Sequence, residues 1–109
     1  MRIIVLPEVL EYLEELIVIL YEKEYFGFLE TSSSYVMELL DDIDANLHTH
    51  RHRPAPKFFD KYGKGMCYAV FRKSKNTQWY VFFTSYKNNG EIIYLIRYIG
   101  NNHLVAQYL

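Results

Sequence analysis

The sequence predicts an α+β domain in which two N-terminal helices pack on an antiparallel sheet, in the order β-α-α-β-β-β. Three observations carry that prediction. Apolar residues recur at three- and four-residue spacing between Pro7 and His50, then at a spacing of two from Met66 onward. Proline marks the boundaries, with Pro7 closing a first apolar run and Pro54 and Pro56 standing where a second helix must stop. Asn89-Gly90, set between two β-branched and aromatic runs, is the signature of a tight hairpin, because both positions tolerate the positive φ such a turn needs.

Taken in order, residues 2 to 6 (RIIVL) read as a strand that leads directly into a helix with proline in its first turn. Val9, Leu10, Leu13, Leu16, Ile17 and Leu20 form the apolar stripe of that helix, with Glu8, Glu11, Glu14 and Glu15 opposite. The pattern breaks at Gly27. Thr31, Ser32, Ser33 and Ser34 offer N-caps for a second helix, whose stripe is Val36, Leu40, Ile43 and Leu47 and which ends near His50. A basic loop from Lys57 to Lys64 follows. MCYAVFRK, QWYVFFTSY and EIIYLIRYI then read as three strands of an antiparallel meander. Each is apolar on both faces, so the sheet needs helices on one side and a loop, cleft or partner on the other.

Length and composition narrow the function. At 109 residues the chain is expected to be one domain, 1–109, with a core of its own. The lone Cys67 has no partner for a disulfide or a zinc pair, and the N-terminus lacks a signal-peptide pattern, so a cytoplasmic location is expected. No apolar run is long enough to span a bilayer, and no membrane partner is expected. There is no glycine-rich phosphate loop, Gly-x-Ser-x-Gly elbow or Cys-x-x-Cys, which removes the main support for nucleoside triphosphate and acyl-transfer chemistry. The net charge of −1 conceals a division. Residues 1 to 50 carry two basic against eleven acidic side chains, a balance of −9, and residues 51 to 109 carry ten against two, a balance of +8. Either one face serves a polyanion, or the two halves neutralise each other across the fold.

The candidates for chemistry lie in the basic half. In the last strand, strict alternation places Ile92, Tyr94, Ile96 and Tyr98 on one face and Ile93, Leu95, Arg97 and Ile99 on the other. Arg97 then sits on an apolar face, where it either pairs with a carboxylate such as Asp60 or borders a cleft and binds phosphate through its planar fork. Arg72, Lys73 and Lys75 lie at the end of the preceding strand, and Lys57, Lys61 and Lys64 precede it. Among the interleaved rings, Tyr62 and Tyr98 are the candidate ligand contacts, since rings beside cations suit single-stranded RNA. His48 and His52 stand one helical turn apart but lack a third ligand, so a cationic helix C-terminus is the preferred reading and no metal is expected. His103, after Gly100-Asn101-Asn102, is either an exposed tail residue or a general acid or base. Alternation sets Tyr98 opposite Arg97, unless the strand twists or bulges near Gly100.

The β-α-α-β-β-β order together with the blocks YAVFRK, QWYVFFTSY and YLIRYIGNNHLVAQYL resembles the RelE/ParE superfamily of type II toxin–antitoxin toxins. The likeness is nearest to the branch ending in a strand plus Asn-Asn-His-x-x-Ala-Gln-Tyr. It implies a small toxin, often linked to plasmid stabilisation, that is held inactive by a cognate antitoxin as a hetero-oligomer, or that forms a homodimer. One branch acts with the ribosome as an mRNA endonuclease, without metal or cofactor, and so inhibits translation. The ParE branch instead inhibits DNA gyrase. Carried over by position, the nuclease reading makes Arg72 and Arg97 phosphate clamps and His103 the acid or base. Lys57, Lys61, Lys64 and Lys73 then hold the RNA backbone, and Tyr62 and Tyr98 stack on bases. A third reading is a small RNA-binding module without catalysis.

Overall fold

A computed structural model describes residues 1–22 and 29–109. The expected break at Gly27 lies outside the described residues. Strand β1 (Arg2–Val5) leads into helix α1 (Pro7–Glu22), and helix α2 (Leu29–Asn46) packs beside α1. Five strands form one sheet in the order β1-β5-β4-β3-β2, with β2 at Arg53–Pro54, β3 at Cys67–Ser74, β4 at Thr77–Asn88 and β5 at Glu91–Asn101. A short helix, α3 (Asn102–Val105), and a final 3-10 turn close the chain.

The α+β class holds, and the layout differs from expectation in four respects. The sheet is mixed, because β1 runs parallel to β5, pairing Arg2 with Ile93 through Val5 with Ile96. The proline-rich segment after α2 contributes an edge strand, with Arg53 opposite Tyr68 and Pro54 opposite Cys67. Residues 102–105 form a further short helix. Lastly, α2 starts upstream of the serine cluster, so the serines do not cap it. Ser32 is fully buried and falls on the stripe Ser32, Val36, Leu39, Ile43 and Leu47; its small side chain fits a core position that sequence preference assigns to a cap.

Two hydrophobic clusters lie on the two sides of the sheet. On the helix side, Val9, Leu13 and Leu16 of α1 and Val36, Leu39 and Ile43 of α2 pack against Phe71, Trp79, Val81, Phe83, Tyr94, Ile96 and Ile99. Leu10, counted in the apolar stripe by its spacing, is 44 % exposed. The opposite face is covered by the chain's own loop and tail. Phe59, in the 3-10 turn Lys57–Lys61, and Val105, in α3, pack with Met66, Tyr68, Tyr80 and Phe82. Phe58 stacks on Tyr108 at 3.6 Å, which ties the loop to the C-terminal turn. The apolar second face of the strands is thus explained mostly by internal cover.

The histidines after α2 serve the same packing. The ring of His50 lies 3.9 Å from Phe71, nearly parallel to it, and its Nδ1 bonds the carbonyl of Val70 at 2.8 Å, beyond the reach of the two-residue β2. His52 bonds the carbonyl of Leu47 at 2.9 Å and sets its edge on Phe83 and Tyr94. Both rings are therefore hydrogen-bond caps, a more specific role than the cationic helix end expected of them.

Candidate functional site

The site is built by an irregularity in β5. Phe82 of β4 pairs with Tyr98 and Phe83 with Ile96, so Arg97 is an extra residue in the ladder, a β-bulge. The bulge breaks strict alternation. Tyr94, Ile96 and Ile99 all join the helix-side cluster, whereas Tyr98 packs with the second cluster and Arg97 reaches over the same face. This corrects the expectation that Ile99 shares a face with Arg97 and that Tyr98 lies opposite, and it removes the conflict between the two residues. The irregularity lies at Arg97, three residues before the expected Gly100.

Arg97 is held by hydroxyl groups. Its Nε donates to Thr84 Oγ1 at 3.1 Å and its Nη2 to the Tyr86 hydroxyl at 3.2 Å, while Thr84 donates to Tyr86 at 3.1 Å. No carboxylate among the described residues pairs with it, so of the two alternatives the pair with a carboxylate such as Asp60 is absent there. Gly63 lies directly over the guanidinium stem, where an added Cβ would stand 2.6 Å from Arg97 Cδ. Among the described residues, partners engage two of the five guanidinium donors, which leaves the fork able to bind an anion.

Beside the bulge, Tyr62 and Tyr98 stack face to face at 4.1 Å with planes 7° apart. Burial, then the neighbouring Tyr62, pushes the Tyr98 phenol up to about 12, so it keeps its proton at neutral pH. Tyr86 is the reverse case: hydrogen bonds from Thr84 and then Arg97 hold its phenol below the usual tyrosine range. Lys61 Nζ lies 4.2 Å over Phe58 and 5.4 Å over Tyr62, and Lys57 and Lys64 are exposed on the same loop. Arg97, Tyr98, Tyr62 and the loop lysines are therefore brought to one side of the sheet.

The other candidates lie elsewhere. Arg72 is opposite Gln78, about 15 Å further along β4 by strand rise, and its Nε donates to the Ser74 carbonyl. His103 is exposed at that same end, because Asn102 ties α3 to the Gln78 amide at 3.1 Å and the Asn76 carbonyl at 3.3 Å. Lys73 points to the helix side, pairing with Glu38 at 3.7 Å and lying over the Tyr35 ring. Thr84, Tyr86 and Gly63 escaped sequence reading. Thr84 and Tyr86 carry the only available clue, their two-residue spacing on a strand opposite an unpaired arginine. No group of three or more His, Cys, Asp or Glu among the described residues is arranged to hold a metal ion. Neither the family models, nor the curated proteins, nor the solved structures yield a match to the chain.

Proposed function

We propose that the chain is the toxin of a toxin–antitoxin pair, a ribosome-dependent mRNA endonuclease neutralised by a cognate antitoxin, whose RNA-facing surface is the sheet face around Arg97. One observation carries the reading: the half-free Arg97 fork lies beside the stacked Tyr62–Tyr98 pair, with Lys61 and Lys64 on the adjoining loop. A phosphate on Arg97 sets the neighbouring base near the outer face of the ring pair. In such a reaction the ribose 2′-oxygen bonds to the adjacent phosphorus and the P–O5′ bond breaks. The 2′ proton goes to a base, and O5′ takes up a proton. Arg97 is suited to the developing phosphorane charge, and the Tyr86 hydroxyl that it holds and the neighbouring Tyr98 are the phenols on the same face.

Induced expression without antitoxin is expected to slow growth and to cut transcripts within translated codons. Arg97→Ala is expected to reduce single-turnover cleavage by at least about tenfold while the protein stays folded. Unslowed growth with intact transcripts ends the nuclease reading.

One observation favours a second reading, a ParE-like inhibitor of gyrase or a non-catalytic RNA-binding module. Arg72 and His103, two residues assigned to catalysis by resemblance, stand at the far end of the sheet from Arg97. Intact transcripts with blocked supercoiling select the gyrase inhibitor. RNA binding with neither effect selects the module.

A further inference from the structure

The β4–β5 hairpin outruns the sheet around it. Strand β3 leaves β4 after Cys67 pairs with Phe83, while β4 and β5 continue through Asn88 opposite Glu91. Residues 84 to 88 therefore have no strand partner on the β3 side among the described residues, and Ser85, Tyr86, Lys87 and Asn88 are all exposed. Asn89 and Gly90, with φ of 51° and 80°, make the two-residue turn that closes the hairpin. In such a turn the flanking pair, Asn88 and Glu91, is doubly hydrogen-bonded, and bonding alternates along the ladder. Ser85 and Lys87 consequently direct their N–H and C=O groups away from β5, toward the open edge. This edge is a regular stretch without proline or a bulge, two of the devices that block pairing, and carries one lysine, Lys87.

We propose that this edge of β4 docks an extended acidic peptide segment, which adds as a further strand and sets a carboxylate on Arg97. The charge at the edge argues for that occupant. Lys64 follows Gly63 over Arg97, Lys87 is on the strand with its side chain on the other face by alternation, and none of the three cations pairs with a carboxylate among the described residues. Arg97 is anchored between Thr84 and Tyr86, one strand spacing of about 5 Å from an incoming chain, within the span of a glutamate side chain. The hydroxyls hold the fork in place, so the peptide meets a preorganised cation. A second copy is a poorer occupant. Antiparallel self-pairing centred on Tyr86 brings two Arg97 guanidinium groups to the same seam. The proposal stands on the edge and its charges and does not need RNA cleavage; where Arg97 does bind phosphate, as proposed above, peptide and RNA compete for it.

The test uses a fluorescent peptide of about ten residues alternating glutamate and valine, a strand-length probe, with a glutamine-for-glutamate control, and the full-length protein. Amide hydrogen exchange at Ser85 and Lys87 is followed in parallel. Binding of the acidic but not the neutral peptide, with new protection at both amides, is the expected result. Ser85→Pro removes an outward donor while sparing the β4–β5 ladder, where proline at an edge is tolerated, and is expected to weaken binding about tenfold. The helical and strand content of that variant is checked by circular dichroism; should it misfold, N-methylating alternate peptide amides removes donors from the other side of the same contact. Absence of binding, binding without protection, or binding indifferent to both modifications overturns the proposal, as does a dimer that pairs through this edge. None of these readouts involves RNA, so failure of the nuclease reading leaves them intact.

Discussion

Arg97 owes its position to two features of different visibility. Its chemical oddity, a guanidinium in an apolar strand, is plain from EIIYLIRYI, but the bulge that brings Tyr98 to the same face is not. A bulge is a relation between two strands, and neither strand's own alternation encodes it. Gly63 is the other hidden feature, since its absent side chain leaves room for the Arg97 stem. Gly63→Ala is expected to cost about 1–3 kcal/mol through overpacking and, under the RNA reading, to lower RNA affinity by displacing the fork. Gly65→Ala is the control, strained by its φ of 69° but surrounded by open space. Chemical denaturation and RNA titration of both proteins check the pair; equal losses of affinity would show that Gly63 does not serve Arg97. Tyr98 supplies a pH test. Its phenol is raised from 10.0 to about 12 on folding, so the unfolded chain loses this proton first. The stability due to the protonated phenol is thus full below about pH 10 and lost as pH climbs through about 12. Tyr98→Phe is expected to flatten the alkaline fall in stability over that window, measured by denaturation at stepped pH.

At the scale of elements, the long pieces were legible and the short ones were not. The helices, the Asn89-Gly90 hairpin and the three long strands each carry enough residues for a period to show. The two-residue β2 and four-residue α3 carry none, and the parallel pairing of β1 depends on where α1 returns the chain. The Asn-Asn-His segment shows how a motif is used locally. Asn101 caps α3, its Oδ1 accepting from the His103 and Leu104 amides at 3.0 and 3.2 Å, and Asn102 clamps the helix to the β3–β4 turn. Val105 is thereby set over Gly100, where a Cβ would approach it to 2.6 Å. Asn101→Ala is expected to cost about 1 kcal/mol and to loosen the tail from the Phe58 and Phe59 loop. Faster hydrogen exchange at His103 and Leu104 checks it. A His103→Ala protein should keep its stability, because the exposed imidazole takes no part in this capping.

For the molecule as a whole, the division of charge in the sequence becomes a division in space. Glu8, Glu11, Glu14 and Glu15 of α1 and Glu38, Asp41 and Asp44 of α2 are exposed on the helix layer, and Lys57, Lys61 and Lys64 lie across the sheet. Only Lys73 and Glu38 form an ion pair among the described residues, so direct pairing between the two halves is confined there to that one contact. The acidic layer and the loop lysines are separated by at least a helix-on-sheet spacing of about 10 Å, while the Debye length is about 8 Å at physiological salt and about 30 Å at 0.01 M. Under the RNA reading, the helix carboxylates repel an RNA on the far face roughly two- to threefold more weakly under cellular conditions than in dilute buffer by this screening. For a single-stranded RNA oligonucleotide, Lys61→Ala and Lys64→Ala are each expected to weaken binding and to reduce the slope of log affinity against log salt by roughly 0.7 for each phosphate no longer neutralised. Glu11→Gln with Glu15→Gln is expected to strengthen binding more at low salt than near physiological ionic strength. Fluorescence anisotropy across a salt series reads both. Lysine variants with unaltered slopes, or glutamate variants whose effect does not decline with salt, would place the RNA on another surface.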